Sequence, residues 1–494
     1  MKTTIISNLF VPCKILCIIL ACQFTFFLTG CSPDDLRGND GAILFKNVTV
    51  IDAVNGFRSD KSVLVRGNKI VEVARVDDIR EPADAIVVNS EGKYLIPGLW
   101  DAHLHLTNTE ALRPVMFPLL IVNGITYVRD TAATFDSILP LRDKAEEASQ
   151  TEGMAPRVFM AGPHIDGLRL SWGSSVSAVT IEQARFIVDC LINTGVDEVK
   201  IYDMISPEVA LEVISYVTEQ GYNMTAHVPF RLDVVEASNA GLRNMEHMKN
   251  LELSCSSDWE TLLQERKQMI EAGADKDPRE LRNDIHQAQR LHAIQTQDEE
   301  RCEVVLNTLA ENNTWQTPTL TFVARAEHQL YAQDDFKETY RYLPESVRSD
   351  WEQRAMELEK RTPSEMELAY AHWAYDMIPR LAETGVGIMA GTDMPLFLLT
   401  PGFSLHKELT LLVYAGLTPM QALEAATLSP AKYFGLENQQ GSISEGMLAD
   451  LVILDANPLD DITNTQRIHA VMRDGHLHTR EKLDEILDQL ENPR

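Results

Sequence analysis

The chain has 494 residues, of which 45% are hydrophobic, and it carries a formal charge of −29. This length is too great for one small domain and leaves room for a barrel-sized domain beside a smaller one. The acidic balance argues against nucleic-acid binding, which depends on Lys and Arg neutralising phosphates.

The first 30 residues have the pattern of a targeting segment. Lys2 and Lys14 precede the apolar run "ILCIILACQFTFFLTG", which ends directly before Cys31. This arrangement resembles the bacterial lipoprotein signal, in which the cysteine is lipidated and becomes the new N-terminus. The resemblance implies a protein of the bacterial cell envelope, anchored by lipid on Cys31 and facing the periplasm or the exterior. The alternatives are an uncleaved anchor helix and an ordinary signal peptide.

Residues 31–41 are polar and acidic, which is typical of a tether. Ser32, directly after the cysteine, favours export to the outer membrane. No second apolar stretch is long enough to span a bilayer. Of the seven cysteines, Cys190, Cys255 and Cys302 lie beyond this segment, and their odd number without CxxC spacing predicts no disulfide framework.

Short alternating strands occur at both ends of the remaining chain. Residues 42–95 contain "AILFKNVTVID" and "KSVLVRGNKIVEVA", and residues 441–478 contain "LADLVILDANPL" and "IHAVMRDGHLH". Each piece is small by itself, so we expect one composite β-sandwich built from both.

Residues 96–440 alternate between strand and helix patterns. Eight short apolar runs recur, from "YLIPGLWDAHLHL" to "VGIMAGTDMP", with helical stretches between most of them. This alternation predicts an α/β fold, a (β/α)8 TIM barrel. Two helix-rich insertions, at about 251–313 and 321–380, form either a lid over the site or a separate helical domain.

Candidate metal ligands stand at the ends of five predicted barrel strands. In "LIPGLWDAHLHL", His103 and His105 are two residues apart and therefore point to the same side of a strand. Side chains at the carboxyl ends of barrel strands share one pocket, so four more residues would converge on this pair. They are Lys200 in "EVKIY", His227 in "TAHVP", His247 in "MEHM" and Asp393 in "AGTDMP".

This constellation resembles the amidohydrolase superfamily, over about residues 42–475. The opening strand, the "AGTDMP" segment and the closing helices carry the resemblance, and Lys200 points to its imidazolonepropionase-like and prolidase-like branch, on the dipeptidase side. The resemblance implies two divalent metals, with zinc expected because it suits imidazole and carboxylate ligands. His103, His105 and Asp393 would hold one metal and His227 and His247 the other. Lys200, carboxylated by CO2, would bridge them, unless it is a plain lysine at the core edge.

The implied reaction is hydrolysis of an amide C–N bond by a metal-bridging hydroxide, with Asp393 as the catalytic proton carrier. Dipeptides or N-acyl amino acids are the expected substrates. A cyclic amide, imide or lactone hydrolase of the same fold is the alternative, and a non-catalytic binding lipoprotein or a structural role is a third. Many relatives form symmetric oligomers, so a homo-oligomer is also an expectation.

The substrate is less well specified by the sequence. Tyr202 follows Lys200 closely and is predicted to contact the substrate. Arg129 and Arg169 are candidates for a substrate carboxylate or for structural hydrogen bonds. Trp172 and Trp315 could wall a pocket or simply pack, and His164 lies at the third strand end. The segment "HVPFRLD" departs from the small-residue turn of relatives, which weakens the transfer of dipeptide specificity.

Overall fold

The computed structural model describes residues 41–493. The predicted signal peptide, Cys31 and all but the last residue of the tether lie outside this range. Within it, no helix is both long enough and apolar enough to cross a membrane.

The strands are β1 (Ala42–Asp52), β2 (Gly56–Arg66), β3 (Lys69–Arg75), β4 (Ala85–Asn89), β5 (Tyr94–Pro97), β6 (Leu99–Leu104), β7 (Ile125–Asp130), β8 (Arg157–Met160), β9 (His164–Asp166), β10 (Ser175–Ser177), β11 (Glu198–Ile201), β12 (Asn223–Ala226), β13 (Asn244–Glu246), β14 (Trp315–Thr317), β15 (Leu451–Leu454), β16 (Ile468–Arg473) and β17 (His476–Thr479). The helices are α1 (Arg113–Val122), α2 (Phe135–Glu152), α3 (Ile181–Thr194), α4 (Pro207–Glu219), α5 (Val234–Asn239), α6 (Leu251–Ser254), α7 (Trp259–Ala272), α8 (Pro278–Gln295), α9 (Glu299–Glu311), α10 (Leu320–Val323), α11 (Arg325–His328), α12 (Asp334–Lys337), α13 (Glu345–Leu358), α14 (Glu365–Thr384), α15 (Phe403–Tyr414), α16 (Pro419–Ala425), α17 (Leu428–Tyr433) and α18 (Arg480–Glu491).

One eight-stranded sheet combines strands from both ends of the chain, as the sequence predicts. Its order is β17-β16-β15-β5-β1-β2-β3, and β4 also pairs with β1. Alternate side chains of β1 serve opposite faces, because successive residues of a strand point to opposite sides. Ile43 and Phe45 lie in the main core of this sheet, whereas Ala42 and Leu44 belong to a smaller cluster on its other side.

The first seven predicted barrel strands form parallel ladders. β6, β7 and β8 make one ladder, and β9, β11, β12, β13 and β14 make another, with β10 on its edge. The two ladders meet where the Asp197 amide donates to the Met160 carbonyl at 2.9 Å. A large apolar core packs the surrounding helices against these strands.

The eighth predicted strand, "VGIMAGTDMP", is not a regular strand. It makes only isolated bridges, Ile388 to Gln316 on β14 and Met394 to Leu104 on β6. These bridges, together with the Ala102 amide donating to the Ala390 carbonyl at 2.9 Å, close the ring of strands. Gly391 permits the close approach, since a Cβ there would lie 2.7 Å from the His103 backbone nitrogen.

Both predicted insertions are helical. The first contains α6 to α9 and the second contains α10 to α14. The expectation of no disulfide framework was wrong for one pair, because the sulfurs of Cys255 and Cys302 are bonded. The two cysteines are 47 positions apart, and the packing of the first insertion brings their Cα atoms to 4.3 Å. No local sequence pattern reports such a long-range pairing.

Candidate metal centre

The six predicted metal ligands meet at the carboxyl end of the barrel. His103 and Lys200 lie on β6 and β11, and the other four follow the ends of their strands or lie in the eighth segment. Five of the six line one cavity of about 560 Å³: His105, Lys200, His227, His247 and Asp393. His103 is fully buried beneath them. The structure therefore brings together every ligand that the sequence predicts.

Three of these side chains form a compact group of donors. One ligand atom from each of His103, His247 and Asp393 lies within 4.8 Å of the other two. Asp393 Oδ1 lies 3.3 Å from His103 Nε2 and 3.0 Å from His105 Nε2. The rings of His227 and His247 are 4.8 Å apart, which places His227 beside the same group.

The Nδ1 atoms of three histidines are held by protein partners. His103 Nδ1 lies 2.5 Å from Glu246 Oε2, His227 Nδ1 lies 3.2 Å from Asp203 Oδ1, and His247 Nδ1 lies 2.6 Å from Thr319 Oγ1. A histidine that binds metal through one nitrogen commonly uses the other in this way, which fixes the ring and its tautomer. Within residues 41–493, the Nδ1 of His105 is buried without a hydrogen-bond partner.

Electrostatics leave most of these groups in the form that metal binding requires. Burial lowers the pKa of His227 to about 3 and holds the pKa of His247 well below its ordinary value, so both imidazoles are neutral near pH 7. Burial opposes ionisation of Asp393, but the adjacent imidazoles of His103 and His105 outweigh it and hold its pKa well below the usual range. Neutral imidazole and ionised carboxylate are the metal-binding forms. His103 differs, because the neighbouring Glu246 carboxylate overcomes burial and raises its pKa.

Two candidate ligands occupy strained backbone positions. His247 has φ 59° and Asp393 has φ 65°, in the left-handed region that residues other than glycine seldom adopt. Such conformations persist where the surrounding structure enforces them, and they cluster at functional sites.

Lys200 is buried at 1% exposure, with its side chain on the cavity. It forms no ion pair with any described residue, and its Nζ lies 6.0 Å from the centre of the Tyr202 ring. Burial lowers its pKa despite the opposing effect of Glu246, which raises the fraction of neutral amine.

Tyr202, the predicted substrate contact, also lines the cavity. Its ring stacks on His227 at 4.2 Å, and its hydroxyl accepts hydrogen bonds from Trp172 Nε1 at 2.7 Å and Arg282 Nη1 at 3.3 Å. His164 packs edge-on against the same ring at 4.4 Å. Trp172 and His164 therefore both belong to the cavity wall.

Three other residues that the sequence singles out have structural partners instead. Arg129 is fully buried and bonds Glu198 and Glu246 inside the barrel. Arg169 donates to the carbonyls of Gly273 and Lys276. Trp315 packs against Tyr433 and does not line the cavity.

Sequence reasoning missed two buried partners of the histidines and several residues of the cavity wall. Glu246 and Asp203 stand next to predicted residues in "MEHM" and "IYDM", so an acidic residue beside a strand-end ligand was a usable signal. Lys249, Arg282, Arg290, Arg325 and Phe322 gave no such signal. Four of these five lie in the insertions, where no strand register orients them.

The fold and the donor set define a barrel protein with a metal-binding type of centre at its carboxyl end. Comparison with known proteins gives the class a name, since the amidohydrolase family pattern matches residues 94–477. The chain belongs to the amidohydrolase family, whose hydrolases typically use divalent metals. No curated protein gives a significant match.

Solved structures with the same fold cover nearly the whole described chain. A Xaa-Pro dipeptidase with bound methionine superposes with a TM-score of 0.62 at 20% identity, covering 89% of this chain and 100% of that chain. A bottromycin amidohydrolase gives 0.66 at 20% identity, covering 91% and 89%. A molinate hydrolase gives 0.58 at 18% identity, covering 90% and 95%. At these identities the likeness establishes the fold.

Proposed function

We propose that the protein is a binuclear metal-dependent hydrolase of a small, peptide-like amide, such as a dipeptide or an N-acyl amino acid. The convergence of five predicted ligands on one cavity, with His103 directly beneath, carries this proposal. A cavity of about 560 Å³ is of the size that encloses small molecules. The dipeptidase and amidohydrolase names of structural neighbours support an amide substrate.

The residues present fit two divalent cations, with zinc proposed because imidazole and carboxylate are ligands that it favours. His103, His105 and Asp393 would hold one ion, and His227 and His247 the other. Lys200, buried and without an ion pair among the described residues, would act as the bridge in its carboxylated form. When bound, such a pair of ions makes a water acidic and polarises a carbonyl oxygen.

The side chains of this chain would supply the remaining chemistry. Asp393 is ionised near neutral pH and can take a proton from the attacking water and pass it to the leaving nitrogen. Amide cleavage needs that second transfer because an unprotonated amine is a poor leaving group. Tyr202, on the wall beside His227, would contact the substrate.

We also propose that the protein works in the bacterial cell envelope, lipid-anchored through Cys31. The apolar run before Cys31 supports this placement. The disulfide between Cys255 and Cys302 supports it independently, because such bonds persist in oxidising compartments outside the cytosol.

Metal content is the first test. The soluble form, starting after Cys31 and produced with bicarbonate, is expected to hold about two metals per chain. Lys200→Ala is expected to lose metal, whereas Lys249→Met, at the other buried lysine of the cavity, is the control that retains it. About one metal, unchanged in Lys200→Ala, would contradict the bridge. Folded protein without metal would contradict the metal-dependent hydrolase.

Asp393→Asn tests the proton carrier. It is expected to lower kcat for a hydrolysed dipeptide or N-acyl amino acid by roughly 10²–10⁴-fold, the usual range for a general acid–base group. Because Asp393 is also a proposed ligand, metal content must be measured alongside. A variant with full metal and unchanged kcat would remove Asp393 from the mechanism.

A further inference from the structure

The outer part of the cavity is rich in cations. Lys249, Arg282 and Arg290 line one side, and Arg325 lines another. Among residues 41–493, the only carboxylates in the lining are Asp393, at the proposed metal centre, and Glu367. Most of the cavity's positive charge is therefore outside the proposed metal centre.

On the first side, one carboxylate serves several groups. Asp203 lies 3.1 Å from Lys249 Nζ and 3.4 Å from Arg282 Nη1, and it also holds His227. Arg290 Nε forms an ion pair with Glu252 Oε1 at 3.2 Å. Lys249 and Arg282 thus share one carboxylate, which neutralises only one of their two positive charges.

Of two neighbouring groups, Arg266 adds to this deficit and His286 offers an unpaired ring nitrogen. Arg266, 1% exposed behind the wall, donates only to the neutral acceptors Asn250 Oδ1 and Gln289 Oε1 and forms no ion pair within residues 41–493. His286, on the cavity face of α8, has a buried Nε2 with no hydrogen-bond partner in the described chain. Buried positive charge without countercharge is costly, so an anion here would be strongly favoured.

On the other side, Arg325 has no countercharge of its own. Its Nη1 donates to the Phe322 carbonyl at 2.9 Å, and its Cζ lies 4.6 Å and 4.4 Å from the ring centres of Phe322 and Phe397. It forms no ion pair in the described part of the chain. Glu367, the nearby carboxylate of the lining, is paired with Arg361 and accepts from Ser364.

Each side is one aromatic ring away from the metal centre. Tyr202 stacks on His227 and accepts from Arg282, while Phe322 meets the His247 ring edge-on at 5.3 Å and carries Arg325. An amide held at His227 and His247 would therefore have one guanidinium within reach on each side.

Resting on the proposed function, we propose that the substrate carries an anionic group on both sides of the scissile amide, as in an N-(carboxyacyl) amino acid. Arg282, supported by Lys249, receives one carboxylate and Arg325 receives the other. Arginine suits this task because its planar guanidinium binds carboxylates through paired hydrogen bonds. A substrate with a free ammonium group on one side, held by Glu367, is the competing class.

Ligand binding tests this without hydrolysis. Calorimetry on the metal-loaded protein, with the series succinate, glutarate, adipate and pimelate, is expected to find one length that binds about 10-fold or more tightly than its monocarboxylate of equal length. Arg282→Gln and Arg325→Gln should each erase that difference at unchanged metal content and thermal stability. Arg279→Gln, exposed on the same helix as Arg282 and outside the lining, is the matched control. Equal binding of mono- and dicarboxylates at every length would overturn the proposal.

Hydrolysis then assigns the two sides. N-succinyl-leucine carries both carboxylates, N-acetyl-leucine and N-succinyl-leucinamide carry one each, and N-acetyl-leucinamide carries none. We expect kcat/KM for N-succinyl-leucine to exceed each of the others by about 10-fold or more. Arg282→Gln should remove the gain in kcat/KM that one carboxylate provides, and Arg325→Gln should remove the gain that the other provides.

Two outcomes separate this proposal from the proposed function. Similar hydrolysis of all four amides would overturn the dianionic substrate and leave the amide hydrolase intact. Faster cleavage of the dipeptide Ala-Leu than of N-succinyl-leucine, reversed in Glu367→Gln, would show that the substrate carries an ammonium group in place of the second carboxylate. Selective dicarboxylate binding without hydrolysis of any amide would support the two anion sites and contradict the amide reaction.

Discussion

Arg129 joins four strands of the barrel through a single guanidinium group. It lies on β7, donates to the Ala102 carbonyl of β6 at 2.8 Å, and bonds Glu198 of β11 at 2.6 Å and Glu246 of β13 at 2.8 Å. Glu246 in turn holds His103. The residue therefore acts on the metal centre through Glu246, and all its partners are protein groups.

Removing this guanidinium would leave two buried carboxylates, Glu198 and Glu246, without it as their ion-pair partner. Arg129→Met is expected to lower the free energy of unfolding by about 3–5 kcal/mol, the usual cost of breaking a buried pair from one side. The control is Arg185→Met, whose partner is Glu212 and whose side chain is exposed, where we expect almost no loss because solvent screens the pair. Urea unfolding measures both, and equal losses would contradict the assigned role of Arg129.

At the scale of elements, the disulfide closes the base of the segment that carries α7 and α8. Cys255 follows α6 and Cys302 lies in α9, and α8 between them supplies Arg282 and Arg290 to the cavity. The crosslink thus ties the side of the cavity formed by Arg282 and Arg290 to the rest of the first insertion.

Opening the disulfide should loosen that side of the cavity. Loop-closure entropy for a separation of 47 residues predicts a loss of about 4 kcal/mol in the variant Cys255→Ser/Cys302→Ser. Cys190→Ser, at an exposed cysteine outside the disulfide, is the control and should lower the stability far less than the double variant. The chemistry is checked by alkylating the soluble form after denaturation, with one cysteine labelled before reduction and three after. Three labelled cysteines without reductant would show that the bond does not form.

At the scale of the whole molecule, Asp450 joins the eight-stranded sheet to the barrel. Its carboxylate accepts from the Tyr127 hydroxyl on β7 and from Arg473 Nη1 on β16, with Arg473 at 3.0 Å. Burial raises the pKa of Asp450, but Arg473 and the hydrogen bonds outweigh it, so the pKa lies below its usual value.

This lowered pKa fixes the direction of a pH effect. The contribution of Asp450 to stability is complete above the unfolded-state pKa of about 4 and is lost as the pH falls through the lower folded-state value. Asp450→Asn should lower the free energy of unfolding by about 3 kcal/mol at pH 7, because the buried Arg473 loses the carboxylate with which it is paired. Thermal midpoints measured from pH 7 to pH 3 should show the gap to wild type shrinking below about pH 4. A gap that widens on acidification would refute this assignment.

The barrel and the convergence of the six candidate ligands follow from local patterns in the sequence. Strand period, strand ends and short motifs are local properties of the chain, so they suffice to predict that His103, His105, Lys200, His227, His247 and Asp393 converge. The eighth segment shows the limit of such patterns, because Gly391 and the ring closure replace a regular strand with isolated bridges.

Tertiary structure alone decided the pairing of charges and sulfurs. Arg129 and Glu246 are 117 positions apart, and Cys255 and Cys302 are 47 apart. Which charges in the insertions face the cavity, and which of them lack a counterion, depends on helix packing. A periodic pattern specifies which side of an element is buried, but not which distant element covers it.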